Sequence, residues 1–522
     1  MNNHEQPIDL RTAFLKTGSS RALFAANAAL AVLYFCVLTF FFKHGNPLLW
    51  GLLVAGEVFH LWQVLTFLYT VWDTEHKARF DAALVPAVDV FITVAGEPVS
   101  VVEETARAAR NMRYAGAFSV HILNDGYVAK KDNWREIESM AARVGVHCIT
   151  RTVPGGAKAG NINNALKLTV APLVAIFDAD HVPHEDFLEK TVGYFADEKM
   201  GFVQTPQFYK NHGANYLAQA SWEQQELFFG PICKGKNRHN AATMCGTNMV
   251  ISREALERVG GMSTESIAED FVTGLFMHSL GLKSYYVGEV LAEGLATEDF
   301  LSYSKQQFRW ARGSLDVIFR YNPLLRRGLT FAQRIQYLAS ASFYLSGTVV
   351  FIDLMLPLAF LYTGAVPLEI SGMFLAAVFL PYMFLTLYCV QRSSNFTFTF
   401  ASLALSMSAF TIHLSALWAA MTGKKSAFVI TSKEAVSGNF IRLAAPHIAY
   451  VAIAAFGILV ALNREGFSAS LVNNIAWVAL NAAVFYPYIK AARGDAHPAA
   501  AAEPGSVPLS SLIKPKHKVH AQ

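Results

Sequence analysis

Long apolar runs constrain this chain more than any other feature. Residues 22–42 contain no Asp, Glu, Lys or Arg and, as a helix, reach across the ~30 Å hydrocarbon core of a bilayer. Runs at 48–72, 337–362, 370–390, 443–462 and 469–489 have similar length and character, and together they predict six crossings. Only 16% of the 522 residues are charged and 53% are hydrophobic, whereas a soluble chain carries about 25% charge. Glu57 and His60 lie inside the second run, where they are costly in lipid and are expected to face another helix. Arg11, Lys16 and Arg21 precede the first run and no small-residue cleavage site comes after it, so that run reads as an anchor and not as a cleaved leader.

A seventh apolar stretch, 398–421, is judged by the charges on its carboxyl-terminal side. If it crossed, Lys424, Lys425 and Lys433 would fall on the outer side, against the preference of positive residues for the inside. It is therefore expected to lie along the cytosolic interface of the bilayer. Both termini then sit in the cytosol, and the Ala/Pro/Ser-rich tail from Gly494 is expected to be disordered. The net charge of +4 is too mild to imply a nucleic-acid partner. The five cysteines are scattered without paired spacing, so they imply neither a disulfide framework nor a zinc site.

Residues 73–327 change character. Short apolar strands at 88–93, 120–123, 147–150 and 173–177 alternate with helical stretches at 101–114 and 134–144, which predicts a mostly parallel sheet with its ligand at the strands' carboxyl ends. The expected organisation is 1–72 with two transmembrane helices, 73–327 as a cytosolic α/β domain, 328–490 with an interface helix, four more crossings and a loop at 428–433, and 491–522 as a tail.

The chemistry-bearing residues lie at those strand ends. Asp178 and Asp180 flank one small residue after a buried strand, and in extended backbone they point to the same side. Two like charges there invite Mg²⁺ or Mn²⁺, whose remaining positions suit a nucleotide diphosphate. Asp125, in Asn124-Asp125-Gly126, can accept hydrogen bonds from a base or ribose. The Gly155-Gly156-Ala157-Lys158 segment opens a helix and forms a candidate diphosphate cradle. Glu269-Asp270 is a second acidic pair, and Asp270 is a candidate general base. Gln306, Arg309 and Trp310 share one helical face, offering a cation for a leaving diphosphate and a flat surface for a sugar ring.

In order along the chain, Val88–Ile92 with Gly96-Glu97-Pro98, Asp125-Gly126, Lys158-Ala159-Gly160-Asn161, Asp178-Ala179-Asp180, Val203-Gln204-Thr205-Pro206-Gln207-Phe208, Cys245-Gly246-Thr247, Glu269-Asp270 and Gln306-x-x-Arg309-Trp310 form a series. This series resembles that of the processive family 2 glycosyltransferases of the bacterial cellulose synthase type. Phe428-Val429-Ile430-Thr431-Ser432-Lys433 resembles their gating loop. The resemblance implies an α/β GT-A, Rossmann-like cytosolic glycosyltransferase domain inserted in an α-helical transmembrane bundle of the inner membrane. It implies UDP-glucose as donor, a nascent β-glucan as second partner, passage of that glucan across the bilayer, and periplasmic accessory subunits. It assigns Asp270 with Glu269 to catalysis and Asp178 and Asp180 to the metal. Glu97, Asp125, Lys158, Arg309, Phe428, Thr431 and Lys433 then contact the nucleotide sugar, and Gln306, Trp310 and Cys245 the acceptor.

Two departures bear on donor or linkage: Ala268 stands where the family has Thr, and Val94-Ala95 where an aromatic-Asn pair is common. The short tail is read as lacking a PilZ domain. A β-1,3-glucan (curdlan-type) synthase, another polysaccharide synthase such as a hyaluronan or chitin synthase, a non-processive lipid-linked sugar transferase and an inactive channel or scaffold subunit stay open as alternatives.

Overall fold

The computed structural model describes residues 17–18, 20–370, 372–423 and 436–494. Its central sheet has seven strands: β1 (Val88–Val94), β2 (Phe118–Asn124), β3 (His147–Thr150), β4 (Leu173–Asp178), β5 (Met200–Gln204), β6 (Met249–Ser252) and β7 (Lys283–Tyr286). They lie in the order β7-β5-β6-β4-β1-β2-β3. β1 pairs in parallel with β2 and β4, and β2 with β3, so these four carboxyl ends emerge along one edge. The expected parallel sheet is in fact mixed, because β6 runs antiparallel between β4 and β5. A second sheet of three short strands, Val182–Pro183, Ala292–Gly294 and Phe208–Tyr209, stands beside it.

Alternation of side chains across each strand divides the core in two. Val88, Val90, Ile92 and Val94 of β1 join Leu173, Ala175 and Phe177 of β4 on one face. Phe91, Val174 and Ile176 pack into the other. Both faces are fully buried, which is why β1 reads as a near-continuous apolar run. The predicted helix at 101–114 spans Val99–Arg110 and the one at 134–144 is Trp134–Val144. The first ends before Tyr114, whose hydroxyl donates to the Pro86 carbonyl at 2.6 Å.

Three helices position the site: α1 (Ala157–Leu166), α2 (Glu269–Ser279) and α3 (Phe300–Asp316). α1 opens after Gly155 and Gly156, whose φ values are +134° and +67°. It can close so tightly only because residue 160 is glycine, where a Cβ would run into the Gly155 carbonyl. α3 is capped by Asp299, whose carboxylate accepts from the Ser302 amide at 2.8 Å.

Among the described residues, six helices around this domain are long and apolar enough to cross a membrane, from Arg21–Phe40 and Pro47–Val71 to Ile441–Glu465 and Ala469–Ala492. They make the chain a multi-pass membrane protein. The apolar stretch read as one interfacial helix is two, Phe400–Ser408 and Phe410–Met421, bent by 40°, and the pair would be a seventh crossing if it counted as one. The break has a cause: the Ser408 carbonyl accepts from His447 Nε2 at 2.8 Å instead of from the helical ladder. The second half packs on α3, with Ala416 and Ala420 against Ala311 and Leu315. The expected loop at 428–433 and the tail from 495 lie outside the described residues.

Ala311 and Ala416 are both fully buried, so the contact between α3 and the bent pair has no room for a larger side chain. Ala416→Leu is expected to destabilise the protein by about 1–3 kcal/mol. The loss should appear as a lower melting temperature of the purified chain, and an unchanged one would mean that this contact is slack.

Candidate active site

The carboxyl ends of β1 to β4 open into a cleft of about 370 Å³. β1 is followed by Ala95, whose amide donates to Glu97 Oε2 at 2.6 Å. β2 is followed by Asp125, β3 by Arg151, and β4 ends in Asp178 with Asp180 just beyond. From the other side come Lys158 in the first turn of α1, Cys245 and Gly246, Glu269 and Asp270 in the first turn of α2, and Gln306, Arg309 and Trp310 from α3. Every described residue that the sequence assigns to catalysis, metal or substrate lines this one cleft; Phe428, Thr431 and Lys433 lie outside the described residues.

Lys158 is the pivot of the charge balance. Its ammonium contacts Asp178 Oδ1 and donates to the Gly246 carbonyl at 2.7 Å. Thr93 Oγ1 donates to the same Asp178 oxygen at 3.1 Å. Burial would raise the Asp178 carboxyl, but Lys158 and His181 outweigh it and hold this group below the usual carboxylate range. Asp180 Oδ2 accepts from the Leu295 amide at 3.2 Å, and His181 Nδ1 lies 3.5 Å from its other oxygen.

Glu269 and Asp270 sit where α2 starts, so its unsatisfied amides favour negative charge. Burial nevertheless dominates: the Glu269 carboxyl is pushed up to about 7 by burial and by Asp270 beside it. Asp270 is raised as well, again chiefly by burial. Its Oδ1 accepts from the Phe271 amide at 2.7 Å. Gly246, at φ +79°, lets the chain pass Asp270, since a Cβ there would lie 2.8 Å from Oδ2.

The two motifs around Gln204 and Cys245 turn out to be one assembly. Gln204 is fully buried; its Nε2 donates to the Thr247 carbonyl at 2.7 Å and its Oε1 accepts from the Cys245 amide at 2.8 Å. Thr247 Oγ1 in turn accepts from the Asp178 amide at 2.8 Å. β5 therefore fixes the turn that touches both acidic pairs.

Sequence reasoning missed Arg151 and Tyr209. Arg151 grips Asp125 with two bonds, Nε to Oδ1 at 2.8 Å and Nη2 to Oδ2 at 2.5 Å, and also holds the carbonyls of Gly155 and Ala157. The rule that ligands gather at strand ends would have found it, because it directly follows β3. Tyr209 enters from the small sheet and had no signal in the strand pattern of the main one.

Among the described residues, six carboxylates line the cleft (Glu97, Asp125, Asp178, Asp180, Glu269 and Asp270) against three strong bases (Arg151, Lys158 and Arg309). Hard oxygen donors in excess suit a divalent cation. No group of three or more His, Cys, Asp or Glu side chains poised to hold a metal occurs among the described residues, so two carboxylates would need further oxygens from elsewhere.

Comparison with known proteins places this cleft. Residues 86–313 match the family described as "Glycosyltransferase like family 2". The chain is 36% identical over 345 residues to a "Cellulose synthase catalytic subunit [UDP-forming]" of Pseudomonas fluorescens, covering 63% of this chain and 45% of that protein. It is 38% identical over 297 residues to the protein of the same name from Xanthomonas axonopodis pv. citri, covering 55% and 40%. The chain thus spans less than half the length of these relatives. Among solved structures, a mannosyltransferase from Pyrobaculum calidifontis in complex with GDP-Man and Mn²⁺ superposes with a TM-score of 0.51 at 17% identity, covering 72% of this chain and 100% of that one, which is a likeness of fold. Residues 86–313 are therefore a family 2 glycosyltransferase domain of GT-A fold, in a membrane chain homologous over about three fifths of its length to bacterial cellulose synthase catalytic subunits.

Proposed function

We propose that this protein is a processive, inverting glycosyltransferase that polymerises glucose from UDP-glucose into a β-glucan and passes it through its own membrane helices, with the catalytic domain on the cytosolic side of the inner membrane. The observation that carries this reading is the single cleft in which Asp178 and Asp180 face Asp270, Arg309 and Trp310. The homologous subunits named UDP-forming support the donor.

In this reading Asp125, held by Arg151, and Glu97 meet the nucleoside, and Lys158 meets the diphosphate. Trp310, Gln306 and Cys245 hold the end of the acceptor chain. Asp270 takes the proton of the acceptor hydroxyl. The oxygen forms its bond to the anomeric carbon from the face opposite UDP, while the bond from that carbon to the phosphate oxygen breaks and its electron pair leaves with UDP. Arg309 and Lys158 stabilise the charge that develops there. Asp178 and Asp180 would hold Mg²⁺ or Mn²⁺, which when bound neutralises diphosphate charge. By resemblance, Phe428, Thr431 and Lys433 close over the nucleotide.

A β-1,3-glucan is the second reading, because Val94, Ala95 and Ala268, the positions that depart from the family pattern, all line the cleft. Digesting the polymer made by purified protein from UDP-glucose with β-1,4- and β-1,3-specific glucanases separates the two. A product resistant to both, or release of glucose without polymer, would overturn the proposal.

Three outcomes are expected. Asp270→Asn keeps the side chain's shape but removes the base, so polymer synthesis should fall by about 10²- to 10⁴-fold while UDP still binds. Wild-type turnover would move the base elsewhere. Chelation by EDTA should stop synthesis, and Mg²⁺ or Mn²⁺ should restore it. The third is a pH profile: because burial raises the Glu269 and Asp270 pair, a base in it is protonated below its titration and freed above it. The rate should rise with pH through an inflection that belongs to the pair and lies above the usual carboxylate range. Glu269→Gln removes the neighbouring negative charge, so that inflection should shift to lower pH.

A further inference from the structure

Two helices carry the groups that would act on the acceptor: α2 begins with Glu269 and Asp270, and α3 bears Gln306, Arg309 and Trp310. Gly313 extends the stripe of α3 formed by those three, because it follows Trp310 and Arg309 at helical spacings of three and four. There the two helices touch. Gly313 is buried, and a Cβ built on it would lie 2.5 Å from the Cβ of Ala268, 3.0 Å from its amide nitrogen and 3.3 Å from its Cα. Ala268 occupies the N-cap position of α2, directly before Glu269.

Neither side of this contact can yield by turning a side chain. Glycine has none, and the Ala268 Cβ is fixed by the main chain, so any larger group at 313 must move a backbone. Nor can α3 back away. Ala311 and Leu315 each lie two residues from Gly313, about 200° around the helix, and pack against Ala416 and Ala420 of the bent pair. Ala311, Leu315 and Ala416 are fully buried. Beside the Gly313 contact, Phe271 of α2 and Val317 after α3 join one buried cluster on which Ala268 also packs. α3 is thus clamped from both faces, and an interior packed this closely transmits a displacement instead of absorbing it.

A fixed gap between these helices matters to a step that uses both. Glu97, Asp125 and Lys158, assigned above to the nucleotide, stand on other elements. Transfer to a sugar acceptor is different. It needs a ring held by Trp310 and Gln306 with its hydroxyl within roughly 2.6–3.2 Å of Asp270, and a misplacement of about 1 Å can cost on the order of 10²-fold.

We propose that Ala268 and Gly313 are positioning residues whose contact is a fixed spacer, setting the distance from the base on α2 to the acceptor platform on α3. The role in transfer rests on the synthase reading above, and the spacer rests on the packing alone.

The test is a double-mutant cycle on the full-length protein in lipid nanodiscs, supplied with UDP-glucose and Mg²⁺. Gly313→Ala forces the helices apart, so polymer synthesis should fall by about 10- to 100-fold through kcat. UDP affinity should stay at the wild-type value, and hydrolysis of UDP-glucose to free glucose should persist, since water needs no platform. Adding Ala268→Gly removes the tightest overlap and leaves 3.0 Å to the amide nitrogen. The double variant should therefore regain several-fold in synthesis and part of the melting temperature lost by Gly313→Ala. Wild-type synthesis by Gly313→Ala overturns the proposal, as does a double variant no better than the single one. Synthesis and hydrolysis that fall together overturn the role in transfer. If the wild type makes no polymer, the synthase reading falls and that role with it, while the melting temperatures of the cycle still decide the spacer. Should Gly313→Ala fail to assemble, assembly of the double variant supports the spacer and its failure overturns it.

Discussion

Negative charge is crowded into one place in this structure, and most of the catalytic domain answers to that. Asp178, Asp180, Glu269 and Asp270 come from two distant parts of the chain and line a single cleft. Carboxylates that line one cleft repel one another, the more so where burial limits screening by water, as at Asp180 and Glu269. Lys158 offsets the first pair through Asp178, and Arg309 bears on the second. Burial, more than this balance, leaves Glu269 and Asp270 with raised proton affinity, and among the described residues carboxylates outnumber strong bases in the cleft. A site in that state is poised to take up a cation, a proton or both.

Precise placement of these charges is achieved by groups that carry none. Gln204, Thr247 and Gly246 form a scaffold between β5 and the two acidic pairs, and each is held there by a hydrogen bond or permits a close approach. Arg151 does the same at the ends of β2 and β3, tying Asp125 to the turn that opens α1. Behind the cleft, buried polar contacts reach toward the membrane helices. His278 on α2 bonds to the Tyr337 hydroxyl at 2.7 Å, and Lys236 donates to Ser340 Oγ at 2.6 Å. Together with the packing of α3 on the bent helix pair, these join the catalytic domain to the membrane bundle.

Much of this is legible in the residue order. Apolar length alone predicts the six long helices, because a membrane span needs about twenty such residues and nothing else in a chain does. Strand and helix alternation predicts a sheet, and the small residue between Asp178 and Asp180 predicts that both face one spot. Contacts between distant segments are the hidden part. The antiparallel β6 has the same apolar composition as its parallel neighbours, since burial on both faces looks identical in either direction. The break at Ala409 comes from a histidine 39 residues away from Ser408 in sequence, His447, that takes a helical carbonyl. Arg151 is one arginine among many until its strand is known to end at the site.

Which chemistry is present is settled by residue order, because the kinds of side chain and their short-range spacing are fixed covalently. What that chemistry faces is settled by packing. The fold set Asp270 against Gly246 and raised the pKa of the Glu269 and Asp270 pair, through burial that no local pattern encodes. Among the membrane helices it brought Asp353 to within 3.8 Å of His60 and the Tyr34 hydroxyl to Glu57, whereas residue order showed only that such groups are costly there and need a neighbour. Proximity, exposure and dielectric environment are properties of the packed molecule, and they convert a set of acids and bases into a site.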